Sequence, residues 1–275
     1  MNHYSGVIKC RDKSLVFDGK HTKIMGILNV TPDSFSDGGL NNSVDSAVRA
    51  AVKMFEAGAE IIDIGGESTR PGYEPVSAEE EQERVCSVLG KIISETDAII
   101  SIDTTKPSVA RAALNDGAHI INDVNGFNLD EMIQVVKEYD CCSIAMFNNR
   151  FYENPVTPIT TRYEDFVKDR VAKINSNLIL DPGIGFGTVP EEDIALIRHT
   201  NKIHEISSMP VLLALSRKRM IGAYMERTST PLERDKGTIG ANLAGIVHGA
   251  DIIRVHDVEG ASDSIRLWNK IMLEE

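Results

Sequence analysis

The sequence predicts an α/β TIM (β/α)₈ barrel with a short N-terminal β-hairpin. Three observations predict it. Short apolar runs of strand length alternate with amphipathic stretches of helical period. Nearly every apolar run ends in a polar or charged residue. No linker or low-complexity stretch divides the 275 residues, a length that suits one barrel domain over 1–275. A doubly wound open sheet is the alternative. Its first strand would usually lead into a Gly-rich dinucleotide fingerprint, and a Thr31-Pro-Asp-Ser34 loop stands in that place.

Val7–Cys10 and Ser14–Phe17, joined by Arg11-Asp12-Lys13, read as a leading hairpin placed to plug the barrel bottom. Ile24–Val30 is the first barrel strand. Thr31–Gly39 is then a long polar loop, punctuated by Pro32, Gly38 and Gly39 and carrying one aromatic, Phe35. Helix follows over Ser43–Ala57, with Ser43 as N-cap, Val44, Ala47, Val48, Ala51, Val52 and Phe55 on one face, and Gly58 as the stop. Glu60–Gly65 is strand. Ser77 to about Glu95 is helix, opened by a Ser77/Glu80 capping box.

Ala98–Asp103 is the third strand, and Lys106–Asp116 the third helix, with Pro107 in its first turn. His119–Asp123 and Cys142–Phe147 are strands around a helix over Asp130–Tyr139. A short fifth helix covers Tyr163–Asn175. Asn177–Leu180 is strand, Pro190–Ser207 helix and Pro210–Leu215 strand. Glu233–His248 is a helix weakened by Gly237, Gly240 and Gly245. Asp251–Arg254 and Ala261–Leu273 complete the eighth unit.

A formal net charge of −12 argues against a nucleic-acid or anionic-membrane surface, although a pocket can still be locally positive. Cys10, Cys86, Cys141 and Cys142 show no CxxC pair or metal spacing and read as reduced thiols of a cytoplasmic protein. Neither a signal-peptide core nor a run of membrane-span length is expected.

Strand ends of a barrel converge on one mouth. The series here is Asn29, then Asp63 with Gly65 and Gly66, Asp103, Asn122 and Asp123, Asn148, Asp181, Ser216 with Lys218, and Arg254 with His256. A single such Asp is more often a cap or turn former, but the whole series is hard to explain as caps. Asp103, Asn122, Asp181 and Lys218 offer carboxylates, an amide and an ammonium, which can grip a flat heterocycle with a guanidine-like edge. A metal site would prefer tighter clustering. Arg254 and His256 alternate along one strand face and, with Asn29, make an anion pocket. A structural salt bridge for Arg254 has equal weight. Asp181-Pro-Gly-Ile-Gly-Phe-Gly187 combines glycines for close backbone approach with Phe186 as an apolar wall. It lacks the Lys-Ser/Thr of a Walker loop. Glu67-Ser-Thr-Arg-Pro-Gly72 and Ser216-Arg-Lys-Arg219 are further loops of unusual content.

Asn29-Val-Thr-Pro-Asp-Ser-Phe-Ser-Asp-Gly38, Gly66-Glu-Ser-Thr-Arg-Pro-Gly72, Ser101-Ile-Asp-Thr104, Ile121-Asn-Asp123, Asp181–Gly187, Ser216–Arg219 and Arg254-Val-His256 follow in order over about residues 20 to 273. This series resembles the dihydropteroate synthases. The resemblance implies condensation of 6-hydroxymethyl-7,8-dihydropterin diphosphate with 4-aminobenzoate, with release of pyrophosphate. It implies that Asp103, Asn122, Asp181 and Lys218 hold the pterin, with Met146 packed on it, and that Asn29, Arg254 and His256 hold the diphosphate. Asn29 would help to place Mg²⁺. Thr69, Arg70, Pro71, Phe186, Ser216 and Lys218 would shape the arylamine subsite. Asp33, Ser34, Phe35 and Ser36 would belong to a lid. Asp103, Lys218, Arg254 and His256 carry the catalytic expectation. A homodimer and a sulfonamide target are further implications.

Three departures from the family pattern stand out. Phe147 follows Met146 where a His is usual, the fifth helix reads as short, and Thr188 stands where Lys is common. They leave room for a low-activity or sulfonamide-insensitive variant, and a non-catalytic pterin-binding homologue is a further reading. A pterin-binding methyltransferase barrel is another reading, disfavoured by the Ser216–Arg219 cluster and the Thr-Pro-Asp-Ser-Phe-Ser loop.

Overall fold

The computed structural model of the chain describes residues 3–31, 39–67, 75–152, 156–174, 177–225 and 227–273. An antiparallel hairpin, β1 (Ser5–Cys10) and β2 (Lys13–Asp18), leads the chain. The barrel follows as β3 (Lys23–Asn29), α1 (Gly39–Glu56), β4 (Ile61–Gly65), α2 (Ala78–Glu95), β5 (Ile99–Asp103), α3 (Pro107–Asn115), β6 (Ile120–Asp123), α4 (Asp130–Glu138), β7 (Cys142–Met146) and α5 (Ile159–Lys173). It continues through β8 (Leu178–Asp181), α6 (Pro190–Arg198), α7 (Thr200–Ser207), β9 (Leu212–Leu213), α8 (Arg219–Ala223), α9 (Asp235–Val247), β10 (Ile252–Val255) and α10 (Val258–Met272).

The eight strands β3 to β10 pair in parallel in the order β8-β7-β6-β5-β4-β3-β10-β9. Leu180 bridges to Val211 in parallel and donates its N–H to Pro210 O at 3.0 Å, which joins the two outer strands and closes the ring. This is the predicted barrel.

Alternation along each strand sorts side chains between two cores. Met25, Ile61, Ile99, Ile120, Cys142, Ile144, Ile179 and Ile252 face inward, in one cluster with Ile8, Cys10, Leu15 and Phe17 of the hairpin. The hairpin therefore plugs one end, leaving its other face, Val7 and Val16, exposed. Residues of opposite parity, such as Ile62, Ile64, Ile100, Ile102, Ala145 and Phe147, pack outward against the helices. Filling both sides of the sheet with β-branched residues is what a closed parallel barrel requires.

Several boundaries differ from the sequence reading. α1 starts at Gly39, so Ser43 lies inside the helix and is not its N-cap. Ser77 does cap α2, accepting from Glu80 N at 3.2 Å, while the Glu80 carboxylate binds Arg84 instead of closing the box. The fifth helix is not short. α5 begins right after Pro158, whose fixed φ suits a helix start, and runs for 15 residues. The predicted Pro190–Ser207 helix breaks at His199 into α6 and α7. The seventh barrel strand shrinks to Leu212–Leu213. α10 starts at Val258, capped by the Asp257 carboxylate on Gly260 N at 3.0 Å.

Candidate active site

The register of β3 to β6 sets Asn29, Gly65, Asp103 and Asn122 side by side at one level of the barrel. Each has the parity of the inward-facing residues below it. Gly65 carries no side chain, which leaves space between Asn29 and Asp103. A Cβ there would stand 3.7 Å from Asp103 Cβ and 3.8 Å from Asn29 Oδ1.

One buried network ties this level together. Arg254, on β10, donates from Nε to Asp63 Oδ2 at 2.7 Å and from Nη2 to Asp103 Oδ2 at 2.8 Å. Asn122 Nδ2 donates to the same Asp63 oxygen at 3.1 Å. Asp63 has no exposed surface, and its other oxygen, Oδ1, meets no hydrogen-bond donor in the structure. Arg254 is thus in ion pairs with two carboxylates, Asp63 within the barrel and Asp103 at the end of β5.

One guanidinium facing two carboxylates leaves a negative charge uncompensated. Burial, only partly offset by Arg254, pushes the Asp103 carboxyl up to about 7, and the Asp63, Glu81 and Asp123 charges add to the rise. Asp181 rises to about 6 by burial, despite accepting from Gly183 N at 2.8 Å. Lys218 falls to about 8 because burial outweighs the attraction of Asp181. Arg254 stays above its ordinary range: burial opposes its charge, and Asp63 and Asp103 outweigh it. Titrating groups of both signs, shifted toward neutral pH, mark a functional site.

Lys218 Nζ stands 4.3 Å from the centre of the Phe186 ring, a cation–π contact. Arg150 approaches the same ring at 5.6 Å. Between Asp181 and Phe186 the chain turns at Gly183, where φ is +70° and a Cβ would lie 1.7 Å from Phe147 O. Only glycine fits there. Of the basic cluster, Arg217 takes a left-handed φ of +60° and binds Asp235 through two bonds, at 2.7 and 2.9 Å. Its role is structural, while Lys218 is the half-buried charge set against Phe186. Ser216 Oγ lies 2.8 Å from His256 Nδ1 and accepts from His256 N at 3.2 Å, so the two residues face each other across the β9 and β10 ends.

Met146 is buried, of the same parity as Ile144, and contacts the Gly183 position. Phe147 points the other way. It is fully buried in an aromatic cluster with Tyr152, Tyr163 and Phe166, at ring separations of 4.9, 5.6 and 5.7 Å. Asp123 also faces outward, accepting from Asn125 N and Phe127 N at 2.8 Å each, which makes it a turn former. Thr188 Oγ1 accepts from Gly185 N at 2.9 Å and donates to Asp193, a local loop role. Thr69, Arg70 and Pro71, and Asp33, Ser34, Phe35 and Ser36, lie outside the described residues.

Two features escaped the sequence reading. Asp63 stood in the series of strand ends without a role, although its parity with Ile61 put it inside the barrel. Lys106 Nζ sits between Glu67 and Glu81, at 2.6 and 2.5 Å. With Asp103, Thr104, Asn148, Arg150 and Phe186, these two carboxylates line a cleft at the mouth. As for magnesium, among the described residues no three His, Cys, Asp or Glu side chains gather to hold a metal. Asn29 offers one hard amide oxygen. That fits an ion carried in on phosphate oxygens, the usual mode for Mg²⁺.

The family model described as "Pterin binding enzyme" matches residues 25–256 of this chain. The chain is 44% identical to dihydropteroate synthase of Clostridium beijerinckii over 262 residues, covering 92% of this chain and 96% of that protein. The chain belongs to the dihydropteroate synthase family. The Bacillus subtilis dihydropteroate synthase is 45% identical over 273 residues, 97% of this chain and 94% of that protein. The structure of Xanthomonas albilineans dihydropteroate synthase with 4-aminobenzoic acid superposes with a TM-score of 0.90 at 36% identity, covering 98% and 99% of the two chains. Membership in this synthase family fits a mouth that combines buried carboxylates, a guanidinium and an ammonium beside an aromatic wall.

Proposed function

We infer that this chain condenses 6-hydroxymethyl-7,8-dihydropterin diphosphate with 4-aminobenzoate to give 7,8-dihydropteroate and pyrophosphate, acting as one barrel domain. The observation that carries this reading is the Asp63–Arg254–Asp103 network at the mouth, next to Asn122, Asp181 and Lys218. Asn122, Asp181 and Lys218 would hold the pterin edge, with Met146 beneath it.

The C–O bond to the diphosphate breaks first, and the bond pair leaves with pyrophosphate. A resonance-stabilised pterin methylene cation remains. Asp103, ionised and preorganised by Arg254, stabilises that charge as it develops. Arg254 and His256 stabilise the leaving group, with Ser216 fixing the imidazole. The arylamine nitrogen then attacks the methylene carbon and releases its proton to solvent. Phe186 walls the arylamine subsite, over Lys218. Mg²⁺, held by Asn29 and the diphosphate, would supply charge neutralisation to the leaving group.

A homodimer is part of this reading, supported by exposed Leu267, Ile271 and Met272 on α10. So is a cytoplasmic location. Among the described residues no helix is long and apolar enough to cross a membrane. The test is pyrophosphate release from the pterin diphosphate with and without 4-aminobenzoate and Mg²⁺. Release that depends on both is expected. Binding without release would instead indicate a non-catalytic homologue, and methyl transfer to a corrinoid would indicate the methyltransferase.

A further inference from the structure

Asn149 lies in the turn after β7, 9% exposed. Its backbone N–H donates to Phe186 O at 3.1 Å, and its side-chain Nδ2 donates to Gly187 O at 2.6 Å. Two successive carbonyls of the loop after β8 are therefore tied to one residue. The side-chain oxygen of Asn149 accepts from Arg162 Nη1. Arg162, 7% exposed, uses its other nitrogens on Thr157 O at 3.1 Å and on Glu192 Oε1 at 3.1 Å. Glu192 Oε2 accepts from Val189 N at 3.0 Å, which returns the chain of bonds to the same loop. Gly187 is locked as well: its φ is +77°, and a Cβ would meet Arg150 N at 2.8 Å.

The backbone beside Phe186 is thus fixed by a buried amide bonded through both its nitrogen and its oxygen. The consequence lies at the mouth. The ring of Phe186 is held 4.3 Å from Lys218 Nζ, and it covers that ammonium. We propose that Asn149, oriented by Arg162, is a positioning residue that sets the Phe186 ring over Lys218 and so shapes the arylamine subsite. The arylamine part rests on the proposed function, while the placement of the ring stands on the geometry alone. Arg162 opens the second turn of α5, so the helix start after Pro158 brings it within reach of Asn149.

The test uses the full-length enzyme with Asn149→Ala and Asn149→Asp. The Asp variant keeps an oxygen for Arg162 and loses the N–H that binds Gly187 O. Two readouts are taken: steady-state kinetics for both substrates, and the titration of Lys218 by ¹³C-methyl NMR of the reductively methylated protein, assigned with Lys218→Arg. Both variants are expected to raise KM for 4-aminobenzoate about tenfold, the worth of one buried hydrogen bond. KM for the pterin diphosphate should stay within about twofold. Lys218 should titrate above its wild-type value of about 8 as water reaches it. Folded variants with an unmoved Lys218 titration would overturn the proposal, as would wild-type behaviour of Asn149→Asp, which would reduce Asn149 to an anchor for Arg162. A moved titration with an unchanged KM for 4-aminobenzoate would uphold the placement of Phe186 and overturn the arylamine reading.

Discussion

Asp63 and Asp103 share one guanidinium, with Arg254 bonded to the first at 2.7 Å and to the second at 2.8 Å. The pair is asymmetric. Asp63 lies deeper and also accepts from Asn122, whereas Asp103 faces the cleft. Asp63 thus holds two donors at the barrel mouth in place and raises the proton affinity of Asp103 by its charge.

Asp63→Asn should therefore do two separable things. Its amide oxygen can take the place of Oδ2 and accept from both Arg254 and Asn122, but without the carboxylate's charge, so kcat/KM should fall about 10²-fold, the scale of charged hydrogen bonds weakened in a buried site. With a like charge gone, the Asp103 limb of the pH profile should move below its wild-type position. Measuring kcat/KM against pH separates the two effects, and an unmoved limb would refute charge sharing.

The wild-type profile itself is predicted to be a bell. Asp103 must be ionised, with its carboxyl held up to about 7, and Lys218 must be protonated, with its ammonium drawn down to about 8. Activity of the free enzyme should rise through the first value and fall through the second. Lys218→Arg should push the alkaline limb out of range, because a guanidinium stays charged.

Asp103→Asn should abolish turnover while leaving the barrel folded. A loss of at least about 10³-fold in pyrophosphate release is expected for removing the charge that faces the developing cation. Stability should move the other way. A carboxyl raised by folding binds protons more tightly in the native state, so its contribution is full below about 4 and is lost as pH rises to about 7. The asparagine variant escapes that loss. Its melting temperature should exceed that of the wild type at pH 7.5 and approach it at pH 4.5. A lower melting temperature at pH 7.5 would contradict the burial cost.

Much of this site was legible in the sequence because a barrel obeys two simple periodicities. Apolar runs ending in Asn29, Asp103, Asn122 and Asp181 gave the mouth, and alternation gave the shared face of Arg254 and His256. The same alternation, applied to Ile61 and Asp63, also put Asp63 inside. The unread parts depend on tertiary contacts. The start of α5 at Ile159, four residues before Tyr163, is hinted at locally by Pro158 alone, and the burial of Ile159 and Arg162 that accompanies it does not show in the local pattern. Nor does local pattern tie Asn149 to Phe186 O, 37 residues away in sequence. Nor does it show that only Leu212 and Leu213 pair with β10 at the closure, where Val211 meets Leu180 in an isolated bridge.

The substitution that looked most damaging to function, Phe147 in place of a histidine, is predicted to be a matter of stability instead. Phe147 has the outward parity of Ala145, no exposed surface, and three aromatic neighbours within 5.7 Å. An imidazole there would reach the cluster between β7 and α5, not Met146 and the mouth. Phe147→His should thus leave KM for the pterin diphosphate unchanged within about twofold. It should destabilise the fold by about 2–4 kcal/mol, through lost apolar volume and a polar ring left without partners. Denaturant unfolding and steady-state kinetics on the same variant check this. A gain in turnover or a tighter KM would mean that the residue after Met146 reaches the pterin after all.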